Sequence, residues 1–177
     1  MKKLKLSRSH KLFLISAIVV FSVFGGTVIS PFTTALAVTC SGYGCDNTSP
    51  VTTGCSSGAV TKKTANIYDA PNYTFLLAKV ELRYSSTCKT IWSRITNLAA
   101  QESLDMWTST QRRYSPNGTT TTVSDLDYNV SYQGSAYSPQ LYLPASDSDG
   151  LSGRAGDYVS NGTVYAGGAY TAYWGGI

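Results

Sequence analysis

Histidine is almost missing from this sequence: the only one, His10, lies in a cationic N-terminal stretch. With no imidazole elsewhere, Ser-His-Asp triads, Cys-His pairs, histidine metal ligands and a histidine general base are excluded. Charge is also scarce. Five of the 14 Lys and Arg residues (Lys2, Lys3, Lys5, Arg8 and Lys11) precede residue 12, and the rest of the chain holds nine cations against ten anions. The formal charge of +4 therefore belongs to the N-terminus and gives no reason to expect a nucleic-acid partner. Beyond residue 37 there is one phenylalanine, Phe75, whereas all 13 tyrosines lie there.

Residues 1–37 have the layout of a secretory signal peptide. A basic segment precedes the uncharged apolar run Leu12–Phe24, and Ala35-Leu36-Ala37 supplies the small-x-small pattern of a cleavage site. The run is shorter than the roughly 20 residues that span a bilayer. The expected product is a single secreted, extracellular domain of residues 38–177, with no membrane contact after cleavage.

Cys40, Cys45, Cys55 and Cys88 all lie in that domain. An even number of cysteines in an exported chain reads as two disulfides, and the spacing does not match paired C-x2-C zinc knuckles. Three connectivities are open; the favoured one joins Cys40 to Cys45 and Cys55 to Cys88. Closing the longer loop stabilises by roughly 3–4 kcal/mol in a chain-entropy model.

The periodicity is that of strands. Lys79-Val80-Glu81-Leu82-Arg83-Tyr84 alternates charge and hydrophobe, which places Val80, Leu82 and Tyr84 on one face. Ser85-Ser86-Thr87 turns the chain, and Cys88–Asn97 returns with Ile91, Trp92 and Ile95. Trp92 is expected in the core beside the cysteines. Further strands are predicted over Ala59–Tyr68, Met106–Tyr114, Thr119–Tyr128, Tyr137–Leu143, Gly153–Ser160 and Thr163–Tyr173. Pro116-Asn117-Gly118 and Asn161-Gly162 carry hairpin turn chemistry. Leu98–Leu104 is the one short helix expected. The fold class is all-β, a small disulfide-bonded antiparallel barrel or sandwich.

The run Cys40-Ser-Gly-Tyr-Gly-Cys45-Asp46, then Gly54-Cys55, Glu81-Leu82-Arg83-Tyr84-Ser85-Ser86-Thr87-Cys88 and Trp92-Ser93-Arg94-Ile95 carries a recognisable pattern. Over residues 39–97 it resembles a family of small secreted proteins of actinobacteria and bacilli, the YjfA-like proteins, classed as a domain of unknown function. The resemblance implies a bacterial, exported, disulfide-bonded β domain and no particular activity. Members often carry a Cys-Asp-Gly-x-Asp-Pro loop. Here Cys45-Asp46-Asn47-Thr48-Ser49-Pro50 replaces the glycine and the second aspartate, which removes a carboxylate from any cation site there.

The segment 115–177 is rich in Tyr and Gly, and its only cation is Arg154. Trp107, Tyr170, Tyr173 and Trp174 are the candidate ligand-binding residues, because aromatic rings stack on sugar faces or pack against a partner protein. The partner expected is cell-wall glycan or an extracellular protein. No cofactor, metal or catalytic residue is called for. A hydrolase would need a carboxylate pair about 5–9.5 Å apart, from Asp125 and Asp127 or from Asp147 and Asp149. The latter pair also suggests a calcium loop, but Leu151 and Tyr158 occupy positions where an EF-hand needs oxygen ligands. A secreted inhibitor or toxin acting on a protein is the third reading. Glu81 and Arg83 share the face opposite Val80, Leu82 and Tyr84, where a polar ligand is one reading and a cross-strand ion pair worth under about 1 kcal/mol, with Lys89 or Arg94, is the expected one. The doublets Lys62-Lys63 and Arg112-Arg113 are expected on solvated strand faces.

Overall fold

A computed structural model describes residues 37–100, 102–114, 117–144, 151–160 and 165–175, all of which lie within one unit, residues 34–177. Apart from Ala37, the predicted leader lies outside the described residues, as does the Asn161-Gly162 turn.

After one turn of 3-10 helix, Gly42–Cys45, nine strands follow among the described residues: β1 Val60–Tyr68, β2 Leu76–Ser85, β3 Thr90–Asn97, β4 Leu104–Tyr114, β5 Thr119–Val130, β6 Ser135–Tyr137, β7 Leu141–Tyr142, β8 Leu151–Ser160 and β9 Tyr165–Tyr170. They form two antiparallel sheets. One has the order β1-β2-β3-β6, with β7 also on β3, and the other the order β5-β4-β8-β9. Among the described strands none pairs from one sheet to the other, so of the two expected architectures the chain adopts the sandwich.

Period-two alternation builds the core. Val80, Leu82 and Tyr84 of β2 and Ile91 and Ile95 of β3 pack in one cluster with Leu104 and Met106 of β4 and Ala155 and Val159 of β8. The expected pairing of Val80, Leu82 and Tyr84 on one face therefore holds. At the β4–β5 hairpin, Gly118 has φ +70° and donates to the Tyr114 carbonyl at 2.8 Å, a backbone conformation that needs no Cβ.

Two expectations are corrected. The predicted strand Tyr137–Leu143 is interrupted: Ser138-Pro139-Gln140 separates β6 from β7, since Pro139 has no N–H for a ladder and the other two side chains bond elsewhere. Among the described residues of Leu98–Leu104 there is no helix, and Leu104 opens β4. Buried Asn97 takes over this segment. Its Oδ1 accepts from Ala99 N at 2.8 Å, and its Nδ2 donates to the carbonyls of Glu102 and Val130, both at 2.8 Å. Seven residues are too few to nucleate a helix against such competition.

Candidate functional site

The outer face of the second sheet carries the aromatic side chains. On β4, Met106, Thr108 and Thr110 point into the sandwich, so Trp107, Ser109 and Gln111 point out. On β8, buried Ala155, Asp157 and Val159 alternate with Arg154, Gly156 and Tyr158. Trp107 and Tyr158 are direct cross-strand partners, and their rings stack with centroids 5.5 Å apart and planes 11° apart. Tyr170 of β9 faces Gly156 and lays its ring over it. A Cβ at Gly156 would sit 1.9 Å from Tyr170 Cε1, so the glycine makes room for the ring. Trp107, Ser109, Gly156, Tyr158, Gly168 and Tyr170 line a cleft of about 300 Å³, and Tyr170 is 56% exposed.

Beside the cleft, the Arg154 guanidinium lies 4.4 Å from the Tyr170 ring centroid and 4.9 Å from that of Tyr173. Its Nε donates to Gln111 Oε1 at 2.8 Å. Trp107, Tyr170 and Tyr173, all proposed from sequence, thus belong to one surface, to which the structure adds Tyr158 and Arg154.

Trp174 lies elsewhere. Consecutive residues alternate faces, so Tyr173 meets Arg154 outside while Trp174 packs at the core edge. There its ring is 4.8 Å from that of Tyr84, with Lys62 Nζ 4.7 Å above it. Its backbone bonds Gly153 in both directions, at 2.8 and 2.9 Å.

Under the cleft lies Asp157, a residue that sequence reasoning missed. It is 4% exposed and its carboxyl crosses the sandwich. Ser93 Oγ of β3 donates to Oδ2 at 2.7 Å, and Ser109 N donates to Oδ1 at 3.0 Å. Burial raises its pKa to about 7, against the lowering effect of those two hydrogen bonds. A signal was available: Asp157 shares its strand parity with Val159. The polar stitching continues through Ser138, whose Oγ accepts from Ser93 N at 2.9 Å and lies 2.6 Å from Thr110 Oγ1.

The acid pairs are not part of this cleft. Asp125 and Asp127 pair with Thr108 and Met106, so they share the inward parity of those residues, opposite to Trp107. Burial and the charge of Asp125 raise the pKa of Asp127, against a backbone hydrogen bond from Tyr137. Asp147 and Asp149 lie outside the described residues.

The cross-strand ion pair expected of Glu81 forms with Arg94, whereas Lys62 and Arg112 of the cationic doublets are less solvated than expected. Glu81 is 5% exposed. It accepts from Arg94 Nε at 2.6 Å and Thr61 Oγ1 at 3.0 Å, pairs with Arg94 Nη2, and lies 3.4 Å from Lys79 Nζ. Burial pushes its carboxyl up, but Arg94, Thr61 and Lys79 together hold it below its ordinary value. Arg83 turns away to Thr61 Oγ1 and the Ala59 carbonyl, both at 2.6 Å. Lys62 covers Trp174, and Arg112 is drawn into an ion pair with Asp46.

The cysteines pair as favoured, Cys40 with Cys45 and Cys55 with Cys88. With Trp92, which is 1% exposed, Cys45, Cys55 and Cys88 form a second small core on the outer side of the first sheet. Asp46, the remaining acid of the loop, is held internally: Oδ2 accepts from Arg112 Nη1 at 2.8 Å and Oδ1 from Tyr142 N at 2.5 Å. It fastens the cysteine loop to β4 and β7. Asp46→Asn should lower unfolding free energy by about 2 kcal/mol. Arg112→Met should cost a similar amount and add little to it, as read by a double-mutant cycle in urea. Fully additive losses would show that the pair is not coupled.

With the geometry in hand, comparison with known sequences places the chain. The profile of a family described as "Protein of unknown function (DUF2690)" matches residues 43–149. The chain belongs to the DUF2690 family. A relative in Bacillus subtilis (strain 168), named "Uncharacterized protein YjfA", is 45% identical over 51 residues, 29% of this chain and 31% of that protein. The chain thus spans about a third of the length of that relative. The DUF2690 match includes β1 to β7 and Trp107, while Arg154, Asp157, Tyr158 and Tyr170 lie beyond residue 149.

Proposed function

We propose that this DUF2690 protein is an exported, non-catalytic binding module that takes cell-wall glycan on the outer face of its β5-β4-β8-β9 sheet. The observation that carries the reading is the stacked Trp107–Tyr158 pair with Tyr170 beside it in the same cleft. A pyranose ring offers an apolar C–H face and a polar rim. Aromatic faces take the first, and Ser109, Gln111 and the tyrosine hydroxyls suit the second. The strands hold these rings in place, which lowers the ordering cost of binding. Two disulfides and a leader-like N-terminal sequence support export.

The test is co-sedimentation of oxidised residues 38–177 with purified Gram-positive cell wall, followed by assay of the supernatant for released sugar. Saturable pelleting without release is expected, with Trp107→Ala and Tyr170→Ala each weakening it about tenfold. Pelleting that both variants retain would sink the cleft reading. Sugar release abolished by Asp125→Asn would favour a carboxylate hydrolase instead. An absence of wall binding would turn the search towards a protein target, as for an inhibitor or toxin.

A further inference from the structure

At the end of the cleft Arg154 carries a charge that no acid among the described residues pairs with; Asp157, which also borders the cleft, is buried and bonded to Ser93 and Ser109. Arg154 shares the outward parity of Gly156 and Tyr158 on β8. The ion pairs of the described residues join Lys79 and Arg94 to Glu81 and Arg112 to Asp46; none involves Arg154. Its Nε is used by Gln111, while its Nη groups make no hydrogen bond among the described residues. Contacts with Tyr170 and Tyr173 hold the guanidinium without using its outer donors. An arginine fixed in this way presents a planar fork that matches a planar carboxylate, a geometry lysine lacks. Tyr170 touches both the cleft and Arg154, so a glycan lying along Trp107, Tyr158 and Tyr170 would bring its next substituent to the fork.

We propose that Arg154 makes this cleft selective for carboxylate-bearing glycan over neutral glycan of the same backbone. The inference rests on the glycan-binding reading above and adds the charge of the ligand. A lactyl ether or a uronate supplies the acid, with the ring stacked on the aromatics and the carboxylate accepting two hydrogen bonds from Nη1 and Nη2.

The probe is peptide-free wall glycan, used with its carboxylates free and after carbodiimide coupling to methylamine, which keeps the sugar faces and removes the charge. The wild-type chain should bind the free acid about tenfold more tightly than the amide. Arg154→Gln should bring the two affinities together by weakening only the acid form. Arg154→Lys should keep the salt sensitivity but recover only part of the preference. Equal binding of both glycans by the wild-type chain, with both lost in Trp107→Ala, would overturn this inference and leave the glycan reading intact. The same acid preference persisting in Arg154→Gln would also overturn it. Binding of neither glycan would overturn both.

Discussion

Asp157→Asn is expected to stabilise the protein at pH 8 and to leave its stability near pH 4 almost unchanged. The Asp157 carboxyl is buried between the sheets and its pKa is raised from 3.8 to about 7. Between those values the folded chain holds a proton that the unfolded chain has released. Stability therefore falls as pH rises, by roughly 4 kcal/mol across the window, and is fully present only below the unfolded value. Asparagine keeps the shape, accepts from Ser109 N and donates to Ser93 Oγ without the charge. Two other acids also make stability depend on pH. Asp127, also raised, adds loss of the same sign, whereas Glu81, held low, contributes stability that disappears as pH falls below its unfolded value of 4.5. Urea unfolding of both proteins at pH 5 and pH 8 isolates the Asp157 part. Parallel pH dependence in the two would show that Asp157 is not the titrating group.

Removing the Cys55–Cys88 bridge should be about as costly. The bond spans 33 residues and ties the loop before β1 to the turn before β3, whereas Cys40–Cys45 spans five. In the chain-entropy model these loops are worth about 4 and about 2 kcal/mol. Both cysteines of the longer bridge are fully buried against Trp92, so paired alanine replacements also leave a small cavity. Cys55→Ala with Cys88→Ala should therefore lower unfolding free energy by about 4 kcal/mol, and Cys40→Ala with Cys45→Ala by about half that. Guanidinium denaturation under oxidising conditions reads both. Equal losses would mean that packing around Trp92, and not loop closure, sets the cost.

Much of the fold was legible because it depends on short-range alternation. Lys79–Tyr84 showed its inward set without any knowledge of what covers it, and Asn117-Gly118 marked its turn through the positive φ it tolerates. Of the cleft, Tyr170 stood out as an aromatic in a polar half and Trp107 as a tryptophan of unsettled burial before it, but sequence grouped Trp174 with them. Only register separates it, since Trp174 pairs with Gly153 and turns inward while Tyr173 stays with Arg154. Glu81 was read as one half of a cross-strand ion pair with Lys89 or Arg94, and it pairs with Arg94; its near-complete burial was not legible. The choice of Arg94 over Lys89, and the added bond from Thr61 on the other flanking strand, depend on strand register, which local pattern does not contain.

The sequence by itself determined that the chain uses no histidine chemistry beyond residue 10, that it is all-β, and that its four cysteines form two bridges. These follow from composition and from a period of two residues, both local properties. Tertiary structure alone decided that the sheets stack as a sandwich, that Asp46 serves Arg112 and Tyr142, and that Asp157 lies buried beneath Trp107, Tyr158 and Tyr170. Each of these depends on which strand lies beside or across from which. That pairing is set by long-range contacts between residues as far apart as Ser93 and Asp157, whose energies appear only once the chain has closed on itself.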